Sequence, residues 1–119
     1  MDFRDSPDEA AFRDRLRAWI RDNAPAELPA EEAPRLEALG RWHRALYAEG
    51  LVALTFPVEY GGQGLAPVYE AILNDEIGAA GAPSPPAMAH LTNAIRLFGT
   101  EEQKREHLPG MLSCEVHWC

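Results

Sequence analysis

Proline, glycine and capping residues cut this chain into five segments, and the first four carry apolar residues at helical spacing. Ser6-Pro7-Asp8-Glu9 is a capping box: the Ser6 hydroxyl can accept from the Glu9 backbone N–H, the Glu9 carboxylate can reach back, and Pro7 is preset for the first turn. Phe12, Leu16, Trp19 and Ile20 follow on one face, with Arg13, Asp14, Arg17 and Arg21 largely opposite, until Asn23-Ala24-Pro25 stops the helix. Residues 24–33 read as a linker. A second helix is predicted over Pro34–Glu49, burying Leu36, Leu39, His43, Leu46 and Tyr47 and ending at Gly50. Leu51–Val58 reads as an extended apolar connection and Glu59–Gly64 as a glycine turn. A third helix opens at Pro67, carries Val68, Tyr69, Ile72, Leu73 and Ile77, and ends at Gly81. A fourth spans roughly Pro86–Phe98 with Met88, Leu91, Ile95 and Phe98 in line. Thr100-Glu101-Glu102-Gln103, a second capping box, starts a fifth that Pro109 should cut off. The expected fold class is therefore all-α.

Glu115–Cys119 breaks the pattern, because its polar and apolar residues alternate as in a half-buried strand. A lone strand has no neighbour to satisfy its backbone groups. The segment is either a frayed tail or the start of a second domain.

At 119 residues the chain can form one domain that buries about two thirds of its unfolded surface. The longest apolar run, Leu51–Val58, is interrupted by Thr55 and Pro57 and falls far short of the ~20 residues a membrane span requires. MDFRDSPDE has neither the basic region nor the apolar stretch of an export signal, so the expectation is a cytoplasmic protein that does not enter a membrane. A formal net charge of −8 with no basic stripe argues against a nucleic-acid partner. The two cysteines, Cys114 and Cys119, would staple almost nothing if bridged, which suits a reducing compartment.

No constellation of side chains makes a self-contained active site. Gly61-Gly62-Gln63-Gly64 lacks the following helix and nearby lysine of a phosphate cradle and reads as a tight turn. His107, Cys114, His117 and Cys119 are possible soft-metal ligands, but their spacing fits no common zinc pattern, so no metal is expected. His43 reads as a core-edge histidine bonded to a carbonyl, and Ser84 and His90 lack a third triad member. Glu70, Asp75 and Glu76 read as solvated helix-face acids.

Three stretches, FPVEYGGQGL (56–65), NDEIGAAGAPSPP (74–86) and FGTEEQKREHLPGMLSCEVHWC (98–119), together resemble in order and spacing the N-terminal part of the acyl-CoA dehydrogenase family. The family commonly has Trp where Phe56 stands and Gly where Cys114 stands. The resemblance implies an N-terminal helical domain over residues 1–114, with 115–119 as the first residues of a β-domain otherwise absent from this truncated chain. It further implies a full-length flavoprotein that uses FAD to oxidise an acyl-CoA to its 2-enoyl-CoA and passes electrons to an electron-transfer acceptor. The catalytic carboxylate and the flavin contacts would lie in later domains, so no catalytic or cofactor-binding residue is expected here. The N-terminal domain of such proteins supplies one wall of the acyl pocket. That wall maps onto Ala79–Leu91, with Pro83, Met88 and His90 as candidate substrate-binding residues. The alternative is a non-catalytic helical interaction module that binds a partner subunit. Either way, an apolar face around Val116, Trp118 and helices four and five would favour an oligomer.

Overall fold

The structure, a computed structural model, describes residues 4–83 and 89–112. Its helices are α1 (Pro7–Asn23), α2 (Glu32–Ala48), α3 (Pro67–Ala80), α4 (Ala89–Phe98) and α5 (Glu101–Leu112), with a single 3₁₀ turn at Val58–Tyr60. There is no strand among the described residues, and Glu115–Cys119 lies outside them.

Local signals set the helix ends. Both halves of the Ser6/Glu9 capping box form, and Pro7 occupies the first turn of α1. The Thr100/Gln103 box forms likewise at α5, with the Thr100 N–H donating to the Gln103 side chain and the Gln103 N–H to the Thr100 hydroxyl. At the other end of α3, Gly81 takes φ +65°. The Gly81 N–H then bonds the Gly78 carbonyl and the Ala82 N–H the Ile77 carbonyl, a Schellman closure that satisfies two carbonyls the helix would leave open.

The main core joins α1, α2, α3 and the segment after α2 through Leu16, Ile20, Trp42, Leu46, Leu51, Leu54, Ile72, Leu73 and Ile77. A second cluster seats α5 on the 3₁₀ turn, where Leu108 packs against Phe56 and Tyr60, with Ile95 of α4 alongside. Phe12 and Tyr69 meet edge to face at 5.1 Å and tie α1 to the start of α3.

Five sequence expectations change. Helix α2 begins at Glu32 rather than Pro34, and its buried face is Trp42, His43 and Leu46, while Leu36 is 60% exposed. The inward face is chosen by where α1 and α3 lie, not by the strongest apolar run. Leu51–Val58 is not extended: Ala53 takes φ +54°, the Phe56 N–H turns back to the Ala53 carbonyl, and a 3₁₀ turn follows. Phe98 is 86% exposed although it lies in the α4 stripe. Pro109 does not end α5, which continues to Leu112. Glu76 is 5% exposed rather than solvated. The expected start of helix four at Pro86 lies outside the described residues.

Candidate functional site: the end of α3

The end of α3 is held in two ways. Glu76, inward-facing one turn before the helix ends, receives Arg17 Nε at 3.0 Å and Arg17 Nη2 at 2.9 Å, while Arg13 Nη1 donates to it at 3.0 Å. Arg13 in turn is gripped by Asp5 through Nε at 2.7 Å. A buried carboxylate needs such partners, and two guanidinium groups from one face of α1 provide them. The hydrogen bonds from Arg17 hold the Glu76 carboxyl below the usual carboxylate range, against the opposing effect of burial, with Arg13 adding to the depression. The arginine pKa values rise correspondingly, Arg13 through Asp5 and then Glu76, Arg17 through Glu76. A hollow of about 170 Å³ lies here, lined by Arg17, Ile20, Glu76, Ala79 and Ala80.

Beyond Gly81, the Trp42 indole N–H donates to the Pro83 carbonyl at 2.8 Å. Trp42 is buried in the core and stacks on Trp19 of α1, with ring centroids 5.5 Å apart and planes 23° apart. Of the three candidate substrate residues, Pro83 is thus placed directly after α3 and half-buried, and His90 lies in the first turn of α4. Met88 lies outside the described residues. Sequence reading missed Trp42, Arg13, Arg17 and Glu76 as parts of this site. A signal was available for the arginines, since Arg13 and Arg17 are four residues apart and so share a helix face.

A larger groove of about 530 Å³ runs between α1 and the segments around Leu51 and Leu65, lined by Phe12, Leu16, Trp19 and Tyr69 with Asp8 and Glu49 at hand. Pro83 does not line it.

Among the described residues, the glycine-rich turn is not built to cradle a flavin. The Gly61–Gly64 turn, a candidate to cradle a pyrophosphate, spends the N–H groups of Gly61, Gly62 and Gly64 on the carbonyls of Val58, Pro57 and Phe56. No amide of those three glycines is left to receive an anion. Among the described residues there is no group of three or more His, Cys, Asp or Glu side chains arranged to hold a metal; Cys114, His117 and Cys119 lie outside them. No helix among them is long and apolar enough to cross a membrane.

Comparison with known proteins bears on the family and the fold. Residues 6–115 match the family model described as acyl-CoA dehydrogenase, N-terminal domain. The acyl-CoA dehydrogenase IpdE1 of Mycobacterium tuberculosis is 30% identical over 94% of this chain and 32% of its own length. The ChsE4-ChsE5 complex from M. tuberculosis contains a chain that superposes with a TM-score of 0.78 at 29% identity, covering 98% of this chain and 31% of that one. A steroid acyl-CoA dehydrogenase described as Tcur3481-Tcur3483 gives a TM-score of 0.75 at 32% identity over 98% of this chain and 31% of that one. A Bacillus anthracis acyl-CoA dehydrogenase solved in complex with FAD is 25% identical with a TM-score of 0.69, over 93% of this chain and 20% of that one. The chain spans about a third of the length of the curated relatives it matches, 32% and 30% for the two IpdE1 proteins. By motif order, helical fold and family match, the chain belongs to the acyl-CoA dehydrogenase family, in its N-terminal helical domain.

Proposed function

We propose that these residues form the helical wall of the acyl pocket in an FAD-dependent acyl-CoA dehydrogenase, which in full-length form oxidises an acyl-CoA to the 2-enoyl-CoA and hands its electrons to an electron-transfer acceptor. The observation that carries the reading is the superposition of 98% of the chain on a subunit of the ChsE4-ChsE5 complex. FAD would in this reading be held by the later domains of the full-length protein, and the Gly61–Gly64 turn has no glycine amide free for its pyrophosphate. In this reading 1–114 is the helical domain, 115–119 enters the β-domain, and Pro83, Met88 and His90 face the acyl group. A bulky, steroid-like acyl group is the favoured substrate class. One structural relative, solved both unaltered and as a G363A variant, is described as a steroid acyl-CoA dehydrogenase, and α3 here ends in the small residues Gly78-Ala79-Ala80-Gly81, with open space at both glycines.

Association with a second subunit belongs to the same reading. Neighbours of this fold were solved as two-component complexes, and Leu97 and Phe98, 62% and 86% exposed, offer apolar surface at the end of α4.

The test is to read the gene past codon 119 and express the continuous product. The expected result is a β-domain and a helical bundle in frame, bound flavin, and reduction of a dye acceptor by a steroid-side-chain CoA thioester in preference to a short straight-chain one. Bound flavin or thioester turnover by the 119-residue chain alone would overturn it.

A further inference from the structure

Proline at position 83 has no N–H, so its carbonyl is its one backbone handle for a hydrogen bond. That handle is taken by the indole of Trp42 at 2.8 Å. The donor is itself immobilised. Trp42 is 3% exposed, and its ring is stacked on Trp19, so α1 supports the side chain of α2 that grips the chain leaving α3. Gly81 has already turned the backbone through a left-handed residue, after which no helical ladder dictates its course. Three helices therefore converge on one directional bond at Pro83, inside the mapped substrate wall.

We propose that Trp42 is the positioning residue of this wall: its N–H sets the direction in which the chain leaves α3 and so fixes where Pro83 stands. This rests on the reading of Ala79–Pro83 as part of the acyl pocket. Burial alone would be served by any large apolar side chain at this position. The indole is distinguished by carrying a donor at the far end of a rigid, apolar ring.

The decisive comparison is Trp42→benzothienylalanine, which keeps ring size and stacking and replaces the N–H by sulfur, alongside Trp42→Phe and the control Trp19→Phe. In the 119-residue chain, loss of the donor should speed hydrogen exchange at the Gly81 and Ala82 amides about tenfold, the scale of one hydrogen bond, and leave α1 and α2 amides unchanged. Trp19→Phe should leave those two amides as they are. In the full-length holoenzyme, the donor-free variants should raise KM for the acyl-CoA about fivefold or more with kcat within about twofold, because the wall binds and does not react. Unchanged exchange at Gly81 and Ala82, or acceleration shared across α1 and α2, overturns the proposal, as does a KM shift equally large in Trp19→Phe. If the unaltered holoenzyme oxidises no acyl-CoA, the pocket reading falls; the exchange pattern then decides the anchor by itself.

Discussion

Arg17 and Glu76, 59 positions apart in sequence, meet in a two-point contact: Nε of the guanidinium bonds one carboxylate oxygen and Nη2 the other, at 3.0 and 2.9 Å. Arg13 adds a third bond, from one turn earlier on α1, so rotation or sliding of α3 against α1 would break three charge-assisted bonds together. In the proposed reading, the acyl wall begins one turn beyond this clamp.

Glu76→Gln keeps the shape of the side chain and removes the charge, leaving two guanidinium groups facing a neutral amide. Stability should fall by about 2 kcal/mol, below the full cost of breaking a buried pair because Arg17 is itself well exposed. Urea denaturation followed by circular dichroism measures it, and a change within about 0.5 kcal/mol would show that the clamp orients α3 without stabilising it.

The same clamp predicts acid sensitivity. The Glu76 carboxyl is held below its ordinary 4.5 by Arg17, and that of Asp5 below its ordinary 3.8 by Arg13. Both pKa values are lower in the folded than in the unfolded chain, so the stabilisation is complete above the ordinary values and is lost as pH falls through the depressed ones. Stability should drop as pH falls below about 4.5, and Glu76→Gln should flatten that slope. Equal slopes in the two proteins would place the acid response elsewhere.

An opposite pH dependence is expected on the alkaline side. The Tyr60 hydroxyl donates to the Glu101 carboxylate, linking the 3₁₀ turn to the first turn of α5. This bond, aided by burial, raises the Tyr60 phenol from 10.0 to about 12. A raised folded-state pKa stabilises the fold below the unfolded value of 10.0, and the benefit disappears as pH climbs to about 12. Phenolate absorbance should show one tyrosine ionising near that upper value, and Tyr60→Phe should remove it. If the phenol lost in Tyr60→Phe is one that ionises near 10, with any higher transition retained, the Glu101 bond is refuted.

Glycine at 62 is required by space and at 64 by backbone conformation. A Cβ at Gly62 would stand 2.3 Å from the Phe56 carbonyl oxygen and 2.5 Å from the Phe56 Cβ, neither of which is a flexible chain end. Gly62→Ala should therefore cost about 3 kcal/mol or detach the turn from the core. At Gly64 the nearest atom would be Val58 Cγ2 at 3.6 Å, so Gly64→Ala meets only the left-handed φ of +62°, a cost of about 1 kcal/mol. Thermal melts of the two variants should differ in that order, and reversal would mean the turn can shift as a unit.

What could be read in advance divides along physical lines. Caps and stops depend on a few neighbouring residues, so the Ser6 and Thr100 boxes, Gly50, Pro67 and Gly81 were legible. Long-range pairing was not. The burial of Glu76 depends on arginines about 60 positions away, and the Trp42 donor finds its acceptor 41 positions on, so a reading made one helix at a time takes the acid for a solvated face and misses the tryptophan. The proposed acyl wall rests on family resemblance, not on any local pattern in the sequence. Pro83 follows α3 by three residues, and nothing in its own neighbourhood in sequence announces the indole that holds it.

Pro109 makes the last case, since it sits inside α5 where a helix should end. Its ring has no N–H for the Arg105 carbonyl and crowds that group, at a cost of about 3 kcal/mol in a helix interior. The helix continues because the residue before it, Leu108, is completely buried against Phe56 and Tyr60, and tertiary packing of that side chain outweighs the local penalty. Pro109→Ala would restore a donor and relieve the crowding, while giving back some unfolded-state freedom that proline removes, at about 0.4–1 kcal/mol. The net expectation is a gain of about 1–2 kcal/mol and a rise in helical circular dichroism. A loss of stability would instead mean that the break at Pro109 bends α5 into the position from which Leu108 reaches the core.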